Sequence, residues 1–411
     1  MRKNFTYSEF VLSVIGLLLL IGFFYGCEKS AMNAEQLRRY YELNRQQALE
    51  MISPFMFSHV QGERKELFKI VHISDVHLSP WSSGTNIRDP FNLQEAVRFA
   101  NDPETKTNVI VDTGDHISST MSTTYRDAIT YIVAYANTLF QDNQIPTFPA
   151  TGNHDSNMLN PNHPDYALNT MDLYTHLTLK INHPVFSDGK ENYYYADLAN
   201  PMGGVIRVIA LDVTDQTNRI YNSQYNAILS QKQINWLCHT ALKQNMTERH
   251  SVLILVHHPL PPANEEALMG KVYNEYLHNW NMIPEIVEAF RTKESIQKAY
   301  RNKLNELDSI TVDVSYAQSP GEFICYLGGH LHTFLHYEIK SGSQPNQLMI
   351  LSNNMSPSER SANTPIQRSS TGQQNNTFNL YAIDTEKKMI YITFFGATGF
   401  YYPQVLEFAY L

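Results

Sequence analysis

Aspartate and histidine recur in five short segments of the chain, each directly after an apolar stretch. A carboxylate and an imidazole two residues apart can turn toward one point, and together they suit Zn, Mn or Fe ions. Each segment alone is a common pattern, but all five in this order predict a metal site. In chain order they are Asp75-Val76-His77, Gly114-Asp115-His116, Gly152-Asn153-His154-Asp155, His257-His258-Pro259 and Gly328-Gly329-His330-Leu331-His332.

The apolar stretches that precede these segments are predicted to be strands of one sheet system. Helix-type patterns lie at 92–100, 128–141 and 230–244, and this alternation of strands and helices predicts an α/β fold with parallel strands. Open α/β sheets place their sites outside the carboxyl ends of the strands. We therefore expect side chains from distant positions to meet there as ligands for two adjacent cations. The predicted strands are 68–74, 109–113, 147–150, 193–197, 205–212, 252–256, 323–327, 336–340, 348–352, 378–384 and 389–395.

The order of the motifs resembles the calcineurin-like metallophosphoesterase superfamily, whose pattern runs Asp-x-His, Gly-Asp, Gly-Asn-His-Asp, His-x-Pro and Gly-His-x-His. The resemblance covers roughly residues 68–395 and is most specific at 152–155 and 329–332. It implies a four-layer α/β/β/α sandwich in which two mixed sheets face each other. It also implies hydrolysis of phosphate esters with the help of two divalent or Fe-type metal ions, such as Mn, Zn or Fe.

The resemblance also implies which side chains hold the two ions. The implied ligands are Asp75, His77 and His332 for the first ion, Asn153, His257 and His330 for the second, and Asp115 as the bridge between them. Asn153 would offer a neutral amide oxygen, which keeps the second site more positive than a carboxylate would. His258 competes with His257 for the ligand position, and the family pattern favours His257.

Three further residues of the motifs are candidates for catalysis and substrate binding. The resemblance implies that His154 contacts the phosphate or protonates the leaving oxygen, and that Asp155 orients the His154 ring. A structural hydrogen bond within the turn is the alternative for His154. For His116 the sequence leaves open a contact with the substrate or a solvated loop position. Asp112 and His72 are interpreted as structural, the first at a strand end and the second as a core imidazole.

The amino terminus has the pattern of an export signal. Arg2 and Lys3 precede an apolar stretch, 10–25, and Gly26 and Cys27 follow it. This resembles a bacterial lipoprotein signal, in which the Cys is lipid-modified after cleavage. An uncleaved anchor is the alternative, although 16 apolar residues fall short of the ~20 that a membrane span needs. Both interpretations place the rest of the chain outside the cytoplasm, in the periplasm or on the cell surface.

Composition limits the function classes further. The net charge of −9 and the absence of a local basic patch in the sequence argue against a nuclease, which needs a basic groove, so no nucleic-acid partner is expected. The expected partners are a small phosphoester and the membrane. A non-catalytic surface lipoprotein that uses the fold for binding stays open as an alternative. The spacing of the Cys residues fits neither a zinc ribbon nor a disulfide framework, and Cys238 and Cys325 are predicted to be buried free thiols.

The chain is predicted to contain one enzymatic domain with additions. The expected organisation is a signal or anchor at 1–27, a helical stalk at 28–66, the catalytic domain at 67–400 and a tail at 401–411. A largely helical insertion, about 260–310, is expected to cover the site, and it carries Tyr273, Tyr276, Trp280 and Phe290 for stacking or packing. The protein Ser/Thr phosphatases are discounted because the segment 114–118 reads Gly-Asp-His-Ile-Ser and lacks their arginine.

Overall fold

The structure is a computed structural model of the 411-residue chain. It describes residues 34–60, 62–79, 88–158, 160, 162–215, 227, 229–263, 279, 281–301, 309–341, 344–353, 355, 372–396 and 405–410. The predicted signal with Cys27 lies outside these residues, as do Tyr273, Tyr276 and Trp280 of the predicted insertion. Within the described part of the chain, no helix has the length and apolar character that a membrane span needs.

The chain divides into a short unit, residues 1–40, and a main unit, residues 41–411. In the short unit, the described residues 34–40 are helical, and the fold below is that of the main unit. The helices of the described residues are α1 (Ala34–Ile52), α2 (Arg88–Ala100), α3 (Tyr125–Phe140), α4 (Thr170–His176), α5 (Gln231–Trp236) and α6 (Met282–Thr292). The strands are β1 (Phe57–Val60), β2 (Glu63–Glu66), β3 (Phe68–Ile73), β4 (Val109–Asp112), β5 (Thr147–Pro149), β6 (Tyr194–Ala199), β7 (Val205–Ala210), β8 (His250–Leu255), β9 (Ser295–Tyr300), β10 (Ile310–Ser315), β11 (Glu322–Gly328), β12 (Leu335–Ser341), β13 (Gln344–Leu351), β14 (Phe378–Asp384), β15 (Met389–Phe395) and β16 (Leu406–Ala409).

Two six-stranded mixed sheets form the centre of the main unit. The first has the order β16-β15-β14-β3-β4-β5, and the second has the order β12-β13-β11-β8-β7-β6. Strands β3, β4 and β5 run parallel in the first sheet, and β7, β8, β11 and β13 run parallel in the second. The remaining strands of each sheet pair antiparallel. The prediction of two mixed sheets is therefore confirmed.

Successive side chains of each central strand point to opposite faces of its sheet, and this divides the apolar core into layers. In β3, Ile70 faces the second sheet and packs in the same cluster as Leu253 of β8, whereas Val71 packs with helices α2 and α3. In β8, Ile254 points to the opposite face from Leu253 and packs with helices α5 and α6, for example against Ile286. The result is the α/β/β/α order of layers, with one apolar core between the sheets and one on each outer face.

Helix α3 shows how local sequence fixes an element of these outer layers. Its N-cap residue Thr124 accepts a hydrogen bond from the backbone of Asp127, and the Asp127 side chain accepts one from the Thr124 backbone. This capping box starts the helix at Tyr125, and the apolar face that follows buries Ile132 and Leu139 against the sheet.

The described part of the region 260–310 contains strands beside a helix, where the sequence predicts a largely helical insertion. Its described part holds helix α6, which ends at Lys293 in a left-handed conformation, and then strand β9, paired antiparallel with β10. In β10 buried and exposed side chains alternate strictly, with Ile310, Val312 and Val314 buried, which is the period of a strand. Residues 264–278 and 302–308 lie outside the described residues.

Both ends of the expected catalytic domain also differ from the prediction. The segment expected to be a helical stalk contains α1 and then the hairpin of β1 and β2. The expected tail contributes β16, which pairs with β15 at the edge of the first sheet. Cys238 and Cys325 are buried free cysteines, as predicted.

Candidate metal centre

Each of the five Asp- and His-rich segments begins at the carboxyl end of a parallel strand. Strands β3, β4 and β5 deliver the first three segments, and β8 and β11 of the facing sheet deliver the last two. Backbone hydrogen bonds join neighbouring segments: the amide of His77 donates to the carbonyl of Asp115 at 2.9 Å, and that of Gly329 donates to the carbonyl of His257 at 3.0 Å. The loops therefore hold one another in place at one end of the sandwich.

The first group of candidate ligands is formed by two carboxylates and two imidazoles. The ligand atoms of Asp75, His77, Asp115 and His332 all lie within 4.8 Å of one another. The Nε2 atoms of His77 and His332 are 2.9 Å apart. His332 Nε2 is 3.4 Å from Asp75 Oδ1, and His77 Nε2 is 3.7 Å from Asp115 Oδ2. These four side chains surround a common point, as a metal ion requires.

The second group shares Asp115 with the first. Ligand atoms of Asp115, His257 and His330 lie within 4.8 Å of one another. Asn153 Oδ1 joins them, 2.9 Å from His257 Nε2 and 3.0 Å from His330 Nδ1. The opposite ring nitrogen of His257 contacts the carbonyl oxygen of Thr113 at 2.8 Å, which leaves Nε2 to face the centre.

One oxygen of Asp115 is common to both groups. Asp115 Oδ2 lies 3.7 Å from His77 Nε2 and 3.3 Å from His257 Nε2, whereas Oδ1 accepts a hydrogen bond from the backbone of His154 at 2.8 Å. The backbone bond fixes the carboxylate so that Oδ2 alone points between the groups. This is the geometry that the predicted bridging role requires.

The donor set fits metal ions in its chemistry as well as its spacing. Burial lowers the pKa of His77 to about 3, so its ring is neutral and offers a lone pair. Burial also acts to lower the pKa of His257, but the Asp115 carboxylate outweighs it and raises the pKa to about 9. The raised pKa of His257 shows that the carboxylates make positive charge favourable at this buried centre. Neutral imidazoles and carboxylates are also the donors that Zn, Mn and Fe ions prefer.

The backbone of these loops is strained at the candidate ligands themselves. A positive φ at a non-glycine residue is uncommon and costs about 1–3 kcal/mol, and such residues cluster at functional sites. The ligand residues with positive φ are Asp75 (51°), His77 (49°), Asp115 (56°), His330 (70°) and His332 (56°). This concentration of strain is independent support for a functional site.

Two glycines make room for the ligands. A Cβ atom at Gly152 would collide with the backbone nitrogen and the Oδ1 atom of Asp115, and one at Gly329 would collide with the side chains of Ser74 and Asp75. Neither glycine has a positive φ. Close approach of the loops therefore requires these glycines.

His154 lies beside the centre and is partly open to solvent. Its side chain is 15% exposed, Nε2 lies 3.9 Å from Asp115 Oδ2, and Nδ1 is 3.0 Å from Ser119 Oγ. One ring nitrogen is thus held by the protein and the other faces the space next to the candidate metal ligands. Ser119 is a site residue that the sequence analysis missed, because nothing in the spacing of residues 114–119 distinguishes it.

The carboxylate of Asp155 is buried and binds backbone amides. Its carboxylate accepts hydrogen bonds from the amides of Gly152 at 2.7 Å, His116 at 2.8 Å and Asp115 at 3.2 Å. It therefore ties the loop after β5 to the loop after β4. The predicted role of Asp155 in orienting the His154 ring stays a prediction.

His116 fits neither of the two roles considered for it. The residue is fully buried, its Nδ1 lies 3.0 Å from Asp155 Oδ2, and its ring packs against Tyr135 with centroids 4.4 Å apart. A ring enclosed in this way cannot touch a substrate and is not solvated. Asp112 is also buried, and burial raises its pKa to about 6 while the Tyr135 hydroxyl donates to it, which agrees with a structural role.

His258 does not belong to either ligand group. Its ring is buried and packs on the ring of His330, with centroids 4.4 Å apart. His257, the alternative that the family pattern favours, is the member of the second group. The geometry that the predicted ligand set needs is therefore present, and the binding of metal by these residues stays a prediction.

Two facing mixed sheets covered by helices carry carboxylates and imidazoles gathered at their strand ends, which is the arrangement of an α/β protein with a candidate metal site. A family model described as calcineurin-like phosphoesterase matches residues 68–334, which is more than half of the chain and includes every candidate ligand. The chain belongs to the calcineurin-like phosphoesterase family. No curated protein matches it. Strands β14 to β16, beyond the matched residues, complete the first sheet.

Proposed function

We propose that this protein hydrolyses phosphate mono- or diesters with a dinuclear metal centre. The observation that carries the proposal is the position of Asp115 Oδ2 between two groups of ligand-type atoms. A shared carboxylate oxygen suits two ions at the short separation, about 3.5–4 Å, of two-metal hydrolases. The expected ions are Mn, Zn or Fe, and the expected substrate is a small phosphoester.

The protein's own side chains have distinct tasks in this reaction. Bound ions would supply Lewis-acid stabilisation of phosphoryl oxygens and a water of lowered pKa. His154, open to solvent and held at Nδ1, is placed to donate a hydrogen bond from Nε2 to a phosphoryl oxygen or to the leaving oxygen. The loops supply this arrangement before substrate arrives, so little reorganisation is needed during the reaction.

The test combines metal analysis with turnover. The purified chain, loaded with Mn, Zn or Fe, is assayed for metal content and for hydrolysis of p-nitrophenyl phosphate and bis-p-nitrophenyl phosphate. The variant His330→Ala removes a ligand of the second group and is expected to bind one ion fewer and to lose most of its turnover. His239→Ala is the matched control, because His239 is exposed on the turn that follows α5.

Three outcomes, one of them from an added assay with an oligonucleotide, would count against the proposal. Binding of fewer than two ions by the wild-type chain would exclude the dinuclear centre. Absence of turnover with all three metals and both substrates would favour the non-catalytic binding protein, whereas cleavage of an oligonucleotide alone would favour the nuclease.

We also propose that the chain is anchored to the outer side of a membrane through lipidated Cys27. The support is the sequence of the first 27 residues, with its positive start, its apolar stretch and the Gly-Cys pair. Mass spectrometry of the N-terminal peptide tests this proposal. A peptide that begins at a lipid-modified Cys27 is expected, and an unmodified Met1 on protein from the cytoplasm would contradict it.

A further inference from the structure

A row of buried polar side chains leads from the first sheet to the carboxylate of Asp75. The row begins in β14, crosses to β3 and β4, and ends in the loop after β3. Every member is at most 1% exposed. Its links are Asn379 Nδ2 to Tyr381 Oη at 2.9 Å, Tyr381 Oη to His72 Nδ1 at 2.8 Å, His72 Nε2 to Thr113 Oγ1 at 3.0 Å, Thr113 Oγ1 to Ser74 Oγ at 2.8 Å, and Ser74 Oγ to Asp75 Oδ2 at 2.7 Å.

The direction of every hydrogen bond in the row follows from its two ends. A carboxylate only accepts, so Ser74 donates to Asp75 and must accept from Thr113. Thr113 has its hydrogen committed to Ser74, so it accepts from His72 Nε2–H. His72 then has a bare Nδ1, which accepts from the hydroxyl of Tyr381.

Each end of the row agrees with this direction. The amide nitrogen of Asn379 can only donate, and Tyr381 Oη can accept from it because its own hydrogen points to His72. Burial lowers the pKa of His72 to about 3, so the ring is neutral and carries a single hydrogen. His72 is thus the core imidazole that the sequence indicates. It also links the hydrogen bonds of β14 to those of the site, with every donor on the β14 side and every acceptor on the Asp75 side.

The row ends on one particular oxygen of Asp75. The backbone amide of His330 donates to both oxygens, at 3.0 Å to Oδ2 and at 3.1 Å to Oδ1. Ser74 donates to Oδ2, and Oδ1 lies 3.4 Å from His332 Nε2 within the first ligand group. Gly329 lies against Ser74 and Asp75 so closely that a Cβ atom there would displace both side chains. The carboxylate is therefore held in one rotation.

We propose that His72, Thr113 and Ser74 form a hydrogen-bond relay that positions Asp75 so that Oδ1 faces the first metal ion. The three are positioning residues, and the proposal rests on the proposed function because it concerns the same centre. Outer residues that orient metal ligands typically change metal affinity by 10–100-fold when they are removed. The relay acts on the first metal site only.

Thr113 allows the relay to be separated from the second site. Its hydroxyl belongs to the relay, but its backbone carbonyl oxygen contacts His257 Nδ1 of the second group. Thr113→Val replaces the hydroxyl with a methyl group of similar size and leaves the carbonyl in place. The second site should therefore keep its ligand geometry in this variant.

The experiment measures Mn²⁺ binding to the full chain after removal of metal with a chelator. Free Mn²⁺ is followed by electron paramagnetic resonance during titration. Thr113→Val is expected to weaken one of two Mn²⁺ sites by about 10–100-fold and to leave the other unchanged. Thr113→Ser, which restores the hydroxyl, is expected to recover both sites.

Two more variants complete the design. Ser74→Ala removes the last donor of the relay and is expected to give the same selective loss as Thr113→Val. Thr393→Val is the matched control, since Thr393 is a fully buried strand threonine whose hydroxyl has no hydrogen-bond partner among the described residues. It is expected to bind two Mn²⁺ ions as the wild type does.

The outcomes separate the relay from the proposed function. If the wild type binds two Mn²⁺ ions and both Thr113→Val and Ser74→Ala bind them equally well, the relay is overturned while the dinuclear centre stands. Equal weakening of both sites, or no rescue by Thr113→Ser, would also overturn it. A wild-type chain that does not bind two ions would overturn both proposals.

Discussion

In Asp115 and in His154, the two polar atoms of the side chain have different surroundings, and this difference gives each residue its role. One carboxylate oxygen of Asp115 is used by a backbone amide and the other is left for the centre. One ring nitrogen of His154 contacts Ser119 and the other faces the shared oxygen. In both residues the protein satisfies one polar atom internally and so determines which atom is available for chemistry.

At the scale of single residues, we predict that His154→Ala lowers kcat for the diester bis-p-nitrophenyl phosphate without loss of metal. The expected decrease is about 10²–10⁴-fold, the usual contribution of a positioned proton donor. Metal content by elemental analysis should equal that of the wild type because His154 belongs to neither ligand group. A variant that keeps wild-type kcat would show that His154 serves only the structure of the turn.

A buried cation joins two strands of the second sheet to the helical segment that covers it. Arg207 of β7 is fully buried, donates to both carboxylate oxygens of Asp197 at 2.7 Å, and donates to the carbonyl oxygens of Ala241 and Gln244 at 2.9 and 2.8 Å. Its guanidinium also lies 4.0 Å from the ring centroid of Tyr195. It therefore joins β6 and β7 to the end of the helical segment that covers the second sheet.

At the element scale, Arg207→Met is expected to lower the free energy of unfolding by about 3 kcal/mol. The cost arises because two carbonyl oxygens and one carboxylate lose their donor. Urea unfolding followed by circular dichroism measures it. Arg126→Met is the control, since Arg126 is exposed, and should change stability by less than about 0.5 kcal/mol. Equal midpoints for the two variants would contradict the prediction.

For the whole molecule, the two facing sheets decide both where the site forms and which ionisable groups are enclosed. The second metal group needs Asn153 from the first sheet and His257 and His330 from the second, so it exists only when the sheets are packed together. The same packing of helices on the sheets buries Glu95 in α2, and burial raises its pKa to about 8.

The raised pKa of Glu95 predicts a dependence of global stability on pH. The folded chain keeps a proton on Glu95 up to about pH 8, whereas the unfolded chain releases it near its ordinary pKa, so this contribution to stability is lost as pH rises toward 8. In the Glu95→Gln variant residue 95 cannot ionise, so this decrease in stability with rising pH is absent. The variant is expected to have nearly the wild-type Tm near pH 4.5 and a higher Tm at pH 8.

Thermal unfolding of the metal-free chain at a series of pH values checks this, because bound metal would add its own pH dependence. Glu248→Gln is the control, since Glu248 is exposed, and its Tm is expected to stay close to that of the wild type across the series. A constant difference between wild type and Glu95→Gln across the series would contradict the prediction.

Much of the fold was predictable because most of its strands are apolar runs that can be recognised in the sequence itself. The apolar runs at β3, β4 and β8 and the helix pattern at α3 lie close to their predicted bounds. The hairpin of β9 and β10 was missed because its residues fell within the segment expected to be a helical insertion. Strand β16 was missed because its four residues pair only with β15. Short strands are specified by the neighbour they pair with rather than by their own sequence.

The sequence by itself determined which side chains are available for metal and in what order, because donor chemistry and strand-end position are local properties. Asp75, Asp115, Asn153 and His330 could be named because the order of their segments resembles the family pattern, which implies their roles. Only the tertiary structure decided which oxygen of Asp115 is shared, that Ser119 meets His154, and that His72 reaches Asp75 through two hydroxyls. These contacts join residues from different strands and loops, and no spacing along the chain encodes distances across a folded core.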